Sequence, residues 1–352
     1  MSRLTIDFRG GAVFLPKLGL WLDPHRAQRG PERVLVSHAH SDHTGAHREV
    51  ILTAATARLM QARLGGRRRP VEHLLTFGEA QSFEGPAGAF RVTLLPAGHV
   101  LGSAMAWVEA GGERLLYTGD FKLRPSHSCE AASLAGVASC DLLIMETTFG
   151  LPKYRFPPAD QVTAAIVEFC REALQADQTP LLLAYSLGKS QETLGRLAGA
   201  GLPLRLHRQV ATMTRIYEEF GRTFPAYDVD SGEAAKGRVL IAPPGGTRPS
   251  GGVRTAILTG WAMDPATRFR SRTDAAIPLS DHADFDELLQ LVEAVRPRRV
   301  FTVHGFAVEF ALELRRRGWD AAALGRAEQL ELPLDGAASE DRPGTPEGGN
   351  TA

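Results

Sequence analysis

The chain has 352 residues, enough for one large domain or two ordinary ones, and its 43% hydrophobic and 23% charged content is typical of a folded globular protein. Basic and acidic side chains both number 40, so no overall basic field indicates nucleic acid or an anionic membrane, although a local basic channel fits within a neutral total. The three cysteines lack Cys-x-x-Cys spacing and indicate neither a disulfide framework nor a thiolate metal site. With no membrane-spanning apolar stretch and no signal peptide, we expect a cytoplasmic protein with no membrane partner.

The first elements are short strands within residues 4–22, and the last of these ends in Asp23, directly before a proline. On its own, Asp23 is most simply a turn residue. The next strand is predicted over Val34 to Ser37, a run of β-branched and apolar residues.

Metal-binding side chains crowd the end of that strand. Three histidines and one carboxylate stand within six positions: His38, His40, Asp42 and His43. Alternate residues of an extended chain project to one side, so His38 and His40 can face the same point. Imidazoles and carboxylates without thiolates suit zinc, manganese or iron, and four ligands on one loop favour two adjacent ions. The alternative, a chance cluster, would crowd mutually repelling imidazoles with no cation to share them.

Two later segments repeat the order of strand, turn and ligand. The pattern first predicts a strand over Val50–Leu52, a helix near Ala55–Leu64 and strands over His73–Leu75 and Phe90–Leu95. His99 follows the last of these after a glycine, and Asp120 follows a strand that begins at Arg114. A carboxylate between two close cations offsets their mutual repulsion, a role that Asp120 fits.

A buried strand from Asp141 ends in Glu146 and two threonines, and the pattern then changes. From 151 to 277, helices alternate with strands, which is typical of a parallel βαβ arrangement. Gly188-Lys189-Ser190 opens one helix; Leu183 stands where a P-loop needs glycine, so nucleotide binding is rejected. A glycine-lysine turn at a helix N-terminus still suits a backbone phosphate, so Lys189 and Ser190 are predicted substrate contacts.

Further substrate contacts are predicted near the end of this region. Arg268, Arg270 and Arg272 are expected to alternate along one side of a strand and to contact the substrate backbone. Trp261, after a glycine at the end of another strand, either lines a cleft or fills the core.

The last segment contains two more candidate site residues. His282 lies in Ser280-Asp281-His282-Ala283-Asp284, where Asp284 has the character of a helix N-cap. His304 closes an apolar strand that begins at Arg299. Residues 335–352 are rich in glycine, proline and polar side chains, and are predicted to be a disordered tail.

The motif His38-x-His40-x-Asp42-His43 after an apolar strand resembles the metal-binding signature of the metallo-β-lactamase superfamily. The resemblance implies that His38, His40 and His99 hold one divalent ion, zinc or manganese, and that Asp42, His43 and His304 hold a second. Asp120 would bridge the two, and Asp23 would brace the ligand loop from behind.

Glu146-Thr147-Thr148-Phe149-Gly150 is similar to the first motif of the nucleic-acid branch of that superfamily, called β-CASP, with Phe149 in place of the more usual tyrosine. The segment from Gly188 to Glu192 is similar to a segment of the β-CASP cassette. The implied fold class is α/β: a metallo-β-lactamase αββα sandwich with an inserted β-CASP α/β domain. The implied boundaries are 1–150 and 278–334 for the sandwich and 151–277 for the cassette.

The resemblance also implies a reaction. Two cations would activate a bridging hydroxide for attack on phosphorus, and Asp42 and Asp120 would hold those cations. His282 resembles the branch's histidine that contacts the scissile phosphate and protonates the leaving oxygen. Glu146 would orient His282 and raise its pKa.

The chain length and the segments around Trp261 and His282 look most like bacterial ligase-associated DNA exonucleases, which implies a DNA-repair nuclease that prefers single-stranded DNA to RNA. That family is associated with an ATP-dependent DNA ligase and a helicase. His304 is shared with the RNA-processing branch, so an RNA-processing ribonuclease is the first alternative. A small-molecule metallo-hydrolase would leave His282, Glu146 and the insertion without a role. A silent nucleic-acid-binding subunit would be expected to lack some ligands, whereas every ligand position here is filled.

Overall fold

The computed structural model describes residues 4–65, 70–137, 139–232, 236–245 and 252–325. The end of the predicted return segment, 326–334, and the predicted tail, 335–352, lie outside these residues. The first half of the chain is mostly β-structure. Its elements are β1 (Asp7–Arg9), β2 (Ala12–Leu15), β3 (Leu20–Leu22), β4 (Arg33–Leu35), β5 (Glu49–Leu52), α1 (Ala54–Leu64), β6 (Val71–Leu74), β7 (Ala80–Gly85), β8 (Gly88–Pro96), β9 (Ala104–Ala110), β10 (Glu113–Tyr117) and β11 (Leu142–Glu146).

The second half alternates helices and strands. Its elements are α2 (Ala159–Gln175), β12 (Thr179–Leu183), α3 (Lys189–Arg196), β13 (Leu204–Leu206), α4 (Arg208–Glu219), β14 (Tyr227–Val229), β15 (Val239–Ala242), β16 (Val253–Leu258), a 3-10 helix (Gly260–Met263), α5 (Ala266–Ser271), β17 (Ala275–Ile277), α6 (Phe285–Val295), β18 (Arg299–Val303), α7 (Ala307–Arg316) and β19 (Ala321–Ala323). Among the described residues, no helix has both the length and the apolar character needed to cross a membrane.

Two sheets face one another and confirm the expected αββα sandwich. Their strand orders are β1-β2-β3-β4-β5-β6 and β19-β18-β11-β10-β9-β8-β7. The inward side chains of both sheets, such as Leu20, Leu35, Phe90 and Val108, form one buried core. The outer face of the first sheet packs against α1, and that of the second against α6 and α7. Alternation of inward and outward side chains along each strand lets both faces of each sheet be buried.

The inserted α/β region is a third sheet of order β14-β13-β15-β12-β16-β17. All of its strand pairs are parallel, as the alternation of helices and strands predicts. Its strands lie between Thr179 and Ile277, within the segment predicted as the cassette; the exact domain boundaries stay a prediction. Helix α4 contributes Met213, Ile216 and Tyr217 to the core around α1, so the insertion packs on the sandwich.

The segment that carries Arg268, Arg270 and Arg272 is not a strand, so the predicted row of arginines is wrong. Residues 266–271 form helix α5, which begins after Pro265. Residues two apart in a helix point to nearly opposite sides, so these side chains share no face. Arg270 instead pairs with Asp264 at 2.8 Å, and Arg272 ends the helix in the left-handed conformation, with φ 53°.

Helix α6 begins at the N-cap predicted from the sequence. Asp284 accepts a hydrogen bond from the Glu287 backbone N–H at 3.0 Å, and the Glu287 carboxylate accepts one from the Asp284 N–H at 2.9 Å. We expect Asp284→Ala to lower the free energy of unfolding by about 0.5–2 kcal/mol, because it leaves the Glu287 N–H of the first turn and the Phe156 N–H without their acceptor. Urea denaturation measures the loss.

Asp286→Ala is the matched control, because Asp286 lies in the same turn but pairs with Arg155 at the surface. Its expected cost is below about 1 kcal/mol. Equal destabilisation by the two variants would contradict the capping role of Asp284.

Candidate active site

The predicted ligands meet because five strands end at one edge of the sandwich. Asp120 follows β10, Glu146 ends β11 and His304 follows β18, and these three strands are parallel neighbours. His99 follows β8, which runs in the direction of β10 because both are antiparallel to β9. His38 follows β4 of the facing sheet. Loops at a common strand edge bring residues distant in sequence to one site.

A glycine allows the two sheets to approach closely here. Gly119, directly before Asp120, has φ 52°, and a Cβ atom on it would lie 2.5 Å from the Cβ of Ser37. A larger residue would therefore be strained by its backbone and would push the Asp120 loop away from the histidine loop.

Asp23 braces the ligand loop, residues 37–43, from inside the protein. Its carboxylate accepts hydrogen bonds from the Ser37 backbone N–H at 2.7 Å and from the Tyr117 hydroxyl at 2.8 Å. The same carboxylate lies 3.2 Å from Nδ1 of His43. Burial alone would raise the pKa of Asp23, but His43 and the hydrogen bonds from Ser37 lower it, so the carboxylate stays charged.

We expect Asp23→Asn to weaken metal binding about 10- to 100-fold, because an amide holds the imidazole of His43 less firmly than a carboxylate does. Titration calorimetry with zinc and with manganese measures the change. Asp7→Asn is the control, since Asp7 pairs with Arg9 on the surface. A matching affinity loss in both variants would show that the brace has no specific role.

Four side chains converge on one point. Nδ1 of His40 lies 3.1 Å from Nε2 of His38 and 3.1 Å from Nε2 of His99. One Asp120 carboxylate oxygen lies 3.4 Å from the His38 nitrogen and 3.8 Å from that of His99. Ligands at zinc–nitrogen distances of about 2.0–2.1 Å in a tetrahedron are about 3.3 Å apart. The separations between the imidazole nitrogens therefore fit one tetrahedral ion.

The outer nitrogen of each imidazole faces a hydrogen-bond acceptor. Nδ1 of His38 lies 2.9 Å from the Ser37 hydroxyl oxygen, Nε2 of His40 lies 3.2 Å from the Leu187 carbonyl, and Nδ1 of His99 lies 2.8 Å from the Asp281 carbonyl. If each outer nitrogen carries the proton, each inner nitrogen presents a lone pair to the shared point. This is the tautomer that metal binding requires.

The protonation states of these four side chains also favour a bound cation. Burial and the neighbouring imidazoles lower the pKa of His38 and of His99, and burial lowers that of His40 to about 4, so these rings are neutral. Burial and the nearby Glu146 carboxylate raise the pKa of Asp120 to about 7. Neutral imidazoles beside a buried carboxylate are a donor set suited to a divalent ion.

The other predicted ligands are more loosely gathered. Nε2 of His43 lies 3.6 Å from Asp120 and 3.8 Å from Asp42, whose side chain is 61% exposed. The His304 ring centre is 6.1 Å from that of His43. Burial lowers the pKa of His43, but Asp23 and Asp120 outweigh it and raise the pKa to about 10. Among the described residues, the ligand atoms of His38, His40, His99 and Asp120 all lie within 4.8 Å of one another, whereas Asp42, His43 and His304 belong to no such set.

His282, which is partly exposed, pairs with the buried Glu146 beside the cluster. Nδ1 of His282 lies 3.0 Å from both carboxylate oxygens of Glu146, and Glu146 also accepts hydrogen bonds from the Phe121 N–H at 2.9 Å and the Thr148 hydroxyl at 2.5 Å. Burial lowers the pKa of His282, but Glu146 and Asp120 outweigh it and raise the pKa to about 9. His282 is thus protonated at neutral pH, as a proton donor must be.

His282 and several predicted metal ligands line a cavity of about 590 Å³ between the sandwich and the insertion; the ligands in its wall are His40, Asp42, His43, Asp120 and His304. The cavity reaches from Asp42 and His304 on one side to Pro244 and Trp261 on the other. It therefore brings both predicted metal sites and His282 to a single opening large enough for part of a polymer.

Of the two substrate contacts predicted at the start of α3, one lies at the cavity and the other is buried. Lys189 lines the cavity, but its ammonium lies 2.9 Å from Asp281 and is already paired. Ser190 is fully buried, and its hydroxyl donates to the Tyr185 carbonyl at 2.8 Å, so the predicted substrate contact of Ser190 is wrong. The helix that begins at Lys189 turns Ser190 inward.

Arg268, Arg270 and Arg272 are not among the residues that line the cavity. A different arginine, Arg63, does line it. Arg63 lies in the last turn of α1; burial lowers its pKa, and the charge of Asp42 only partly opposes this. The sequence pattern did not single it out, because one arginine near a helix end is ordinary.

The sequence reasoning also missed His25. Its exposed ring lies 6.3 Å from those of both His43 and His304. Its position two residues after Asp23 is the one signal that would have found it, because Asp23 already touches the ligand loop.

Two models of known protein families match parts of this chain. Residues 8–179 match the family model of a beta-lactamase superfamily domain, and residues 275–324 match that of a Zn-dependent metallo-hydrolase RNA specificity domain. These two matches together cover more than half of the chain and include every predicted metal ligand.

The curated proteins that are similar in sequence include two named for DNA and one named as an RNase. The chain is 48% identical to a probable DNA ligase of Opitutus terrae over 94% of its own length and 32% of that protein. It is 26% identical to RNase aCSPSF2 of Saccharolobus solfataricus over 53% of its length and 43% of that protein. It is 23% identical to the DNA cross-link repair protein SNM1 of Arabidopsis thaliana over 77% of its length and 60% of that protein. The chain thus spans less than two thirds of each of these relatives.

A solved structure shares the fold. A protein of unknown function from Enterococcus faecalis superposes with a TM-score of 0.55 and 15% identity, over 83% of this chain and 78% of that one. At this identity the likeness concerns the arrangement of the backbone alone.

Proposed function

Because the chain belongs to the metallo-β-lactamase superfamily, in its β-CASP branch, we propose that it is a metal-dependent nuclease that removes nucleotides from single-stranded DNA during repair. The observation that carries the proposal is His282, which contacts the Glu146 carboxylate and faces an open cavity, beside three convergent imidazoles. A small-molecule hydrolase has no evident use for that proton donor.

The ligand roles form part of the proposal. His38, His40 and His99 would hold one divalent ion, zinc or manganese, and Asp42, His43 and His304 would hold the other, with Asp120 as a ligand shared by both. When bound, such ions supply Lewis acidity to the phosphoryl oxygens and lower the pKa of water. The inward lone pairs of the three imidazoles and the buried carboxylate of Asp120, whose pKa burial raises, support this assignment.

The chain's own residues supply the proton. His282 donates it to the departing 3′ oxygen from Nε2, because its Nδ1 is directed at Glu146. Glu146 fixes the ring and stabilises its charge, and Thr148 and Phe121 fix Glu146 in turn. Arg63, at the cavity wall, is the proposed contact for a backbone phosphate.

The choice of DNA rests on the relatives. The relative with 48% identity is named as a probable DNA ligase, and SNM1 is named for DNA cross-link repair. An ATP-dependent DNA ligase and a helicase are accordingly the proposed partners. The RNA-processing alternative is supported by the RNase relative and by the name of the second family model.

We also propose that residues 1–150 and 278–334 form one domain into which 151–277 is inserted, because the strands of the third sheet fall within that insertion.

The test compares end-labelled single-stranded DNA and RNA of matched sequence, with zinc- or manganese-reconstituted protein and a His40→Ala control. Stepwise shortening of DNA that the variant lacks is the expected result. Cleavage of RNA alone would replace this proposal with the RNA-processing one. No cleavage of either polymer with either metal would overturn the nuclease assignment.

A further inference from the structure

One wall of the cavity is aromatic and open to water. Tyr185 follows β12, and Trp261 lies in the 3-10 helix after β16, so both stand beyond the carboxyl ends of neighbouring parallel strands. Both line the cavity, with 60% and 41% of their surfaces exposed. Large aromatic surfaces left exposed inside a cleft are typical of binding sites.

Trp261 is held rigidly on one side. Its ring packs against Phe149, with centroids 4.8 Å apart, and edge-on against Tyr154 at 5.5 Å. The preceding residue, Gly260, permits this approach, because a Cβ atom there would lie 2.4 Å from the Phe149 ring. The Trp261 carbonyl accepts a hydrogen bond from the Thr267 hydroxyl at 2.6 Å. A side chain fixed in this way loses little conformational entropy when a ligand covers its open surface.

This wall is close to the proposed reaction centre. The Phe149 ring centre lies 6.1 Å from that of His282, so a single ring separates Trp261 from the proton donor. At Tyr185, the Lys189 ammonium lies 5.1 Å from the ring centre and is paired with Asp281. The wall therefore offers flat apolar surface and little uncompensated positive charge, which suits a nucleobase better than a phosphate.

We propose that unpaired bases of the substrate stack on Trp261 and Tyr185, and that this wall selects single strands. The inference rests on the proposed function, because it takes a nucleic acid as the ligand. Bases of a duplex are already stacked on one another and cannot cover these rings, whereas those of a single strand can. The selection is independent of sequence, since every base has a flat face.

The test measures binding of fluorescein-labelled oligothymidylate in the His282→Ala background, where cleavage is slow. Trp261→Ala is expected to weaken binding about 10- to 100-fold, and Trp261→Phe much less, because it retains a ring. Phe269→Ala is the matched control, since Phe269 is 71% exposed but is not among the cavity-lining residues. It should leave binding unchanged.

Oligonucleotides with a single abasic position complete the test. Removing the stacked base should weaken binding to the Trp261-containing protein but cause no further loss with Trp261→Ala. If the oligonucleotide binds well and neither change matters, the stacking proposal is overturned while the nuclease assignment stands. If the parent protein neither binds nor cleaves it, the proposed function itself fails. Should Trp261→Ala not fold, the abasic series on the parent protein decides: no sensitive position would refute the proposal.

Discussion

Replacing His40 with alanine is expected to remove bound metal and to lower DNA cleavage by more than about 100-fold. The reason is that Nδ1 of His40 is the nitrogen shared by both short contacts of the three-imidazole cluster, at 3.1 Å to each neighbour. Loss of a direct ligand should exceed the roughly 10- to 100-fold cost of losing a residue that only orients one. Elemental analysis of the purified protein, with calorimetric titration of zinc and manganese, measures the metal.

His73→Ala is the control for that experiment. His73 bonds the Glu49 carboxylate at 2.8 Å, and no proposed ligand contacts that pair. It should retain full metal content and activity. A His40→Ala protein that keeps its metal while losing activity would show that His40 acts on substrate and not as a ligand.

His282→Ala is expected to lower kcat on DNA by about 10²- to 10⁴-fold, the range for loss of general acid catalysis, with metal content unchanged. The side chain touches the carboxylate of Glu146 and presents its other nitrogen toward the cavity. The departing 3′ oxygen would then leave without a proton.

A substrate with a better leaving group separates this role from a structural one. The p-nitrophenyl ester of thymidine 5′-phosphate expels p-nitrophenolate, which needs no proton, so His282→Ala should lose far less activity on it than on DNA. Equal losses on the two substrates would contradict proton donation and indicate that His282 positions the phosphate.

Much of the site could be predicted because its signals are local. His38, His99, Asp120 and His304 each follow an apolar strand, and the ends of parallel strands meet at one edge of a sheet. The N-cap at Asp284 could also be predicted from a local signal, because its partner Glu287 is only three residues away.

The misreadings arose where short-range patterns were ambiguous. Alternating arginines at 268, 270 and 272 imitate the period of a strand, but the preceding Pro265 starts a helix there. Ser190 has the residue type for a phosphate contact, but the tertiary packing of α3 turns it inward. Arg63 gives no local signal, and the one signal for His25 is its place two residues after Asp23, because both residues come near the site through the packing of elements that are distant in sequence.

The outer hydrogen bonds of His40 and His99 have a consequence for how the protein acquires its metal. Their acceptors, the carbonyls of Leu187 and Asp281, are 147 and 182 residues away along the chain. The amino-terminal strands can therefore fold first and still lack ligands of defined orientation, because contacts of such long sequence separation form late. We therefore expect high-affinity metal binding to be one of the last steps of folding. In stopped-flow refolding with a zinc indicator, metal binding should lag behind burial of the core between the two sheets of the sandwich.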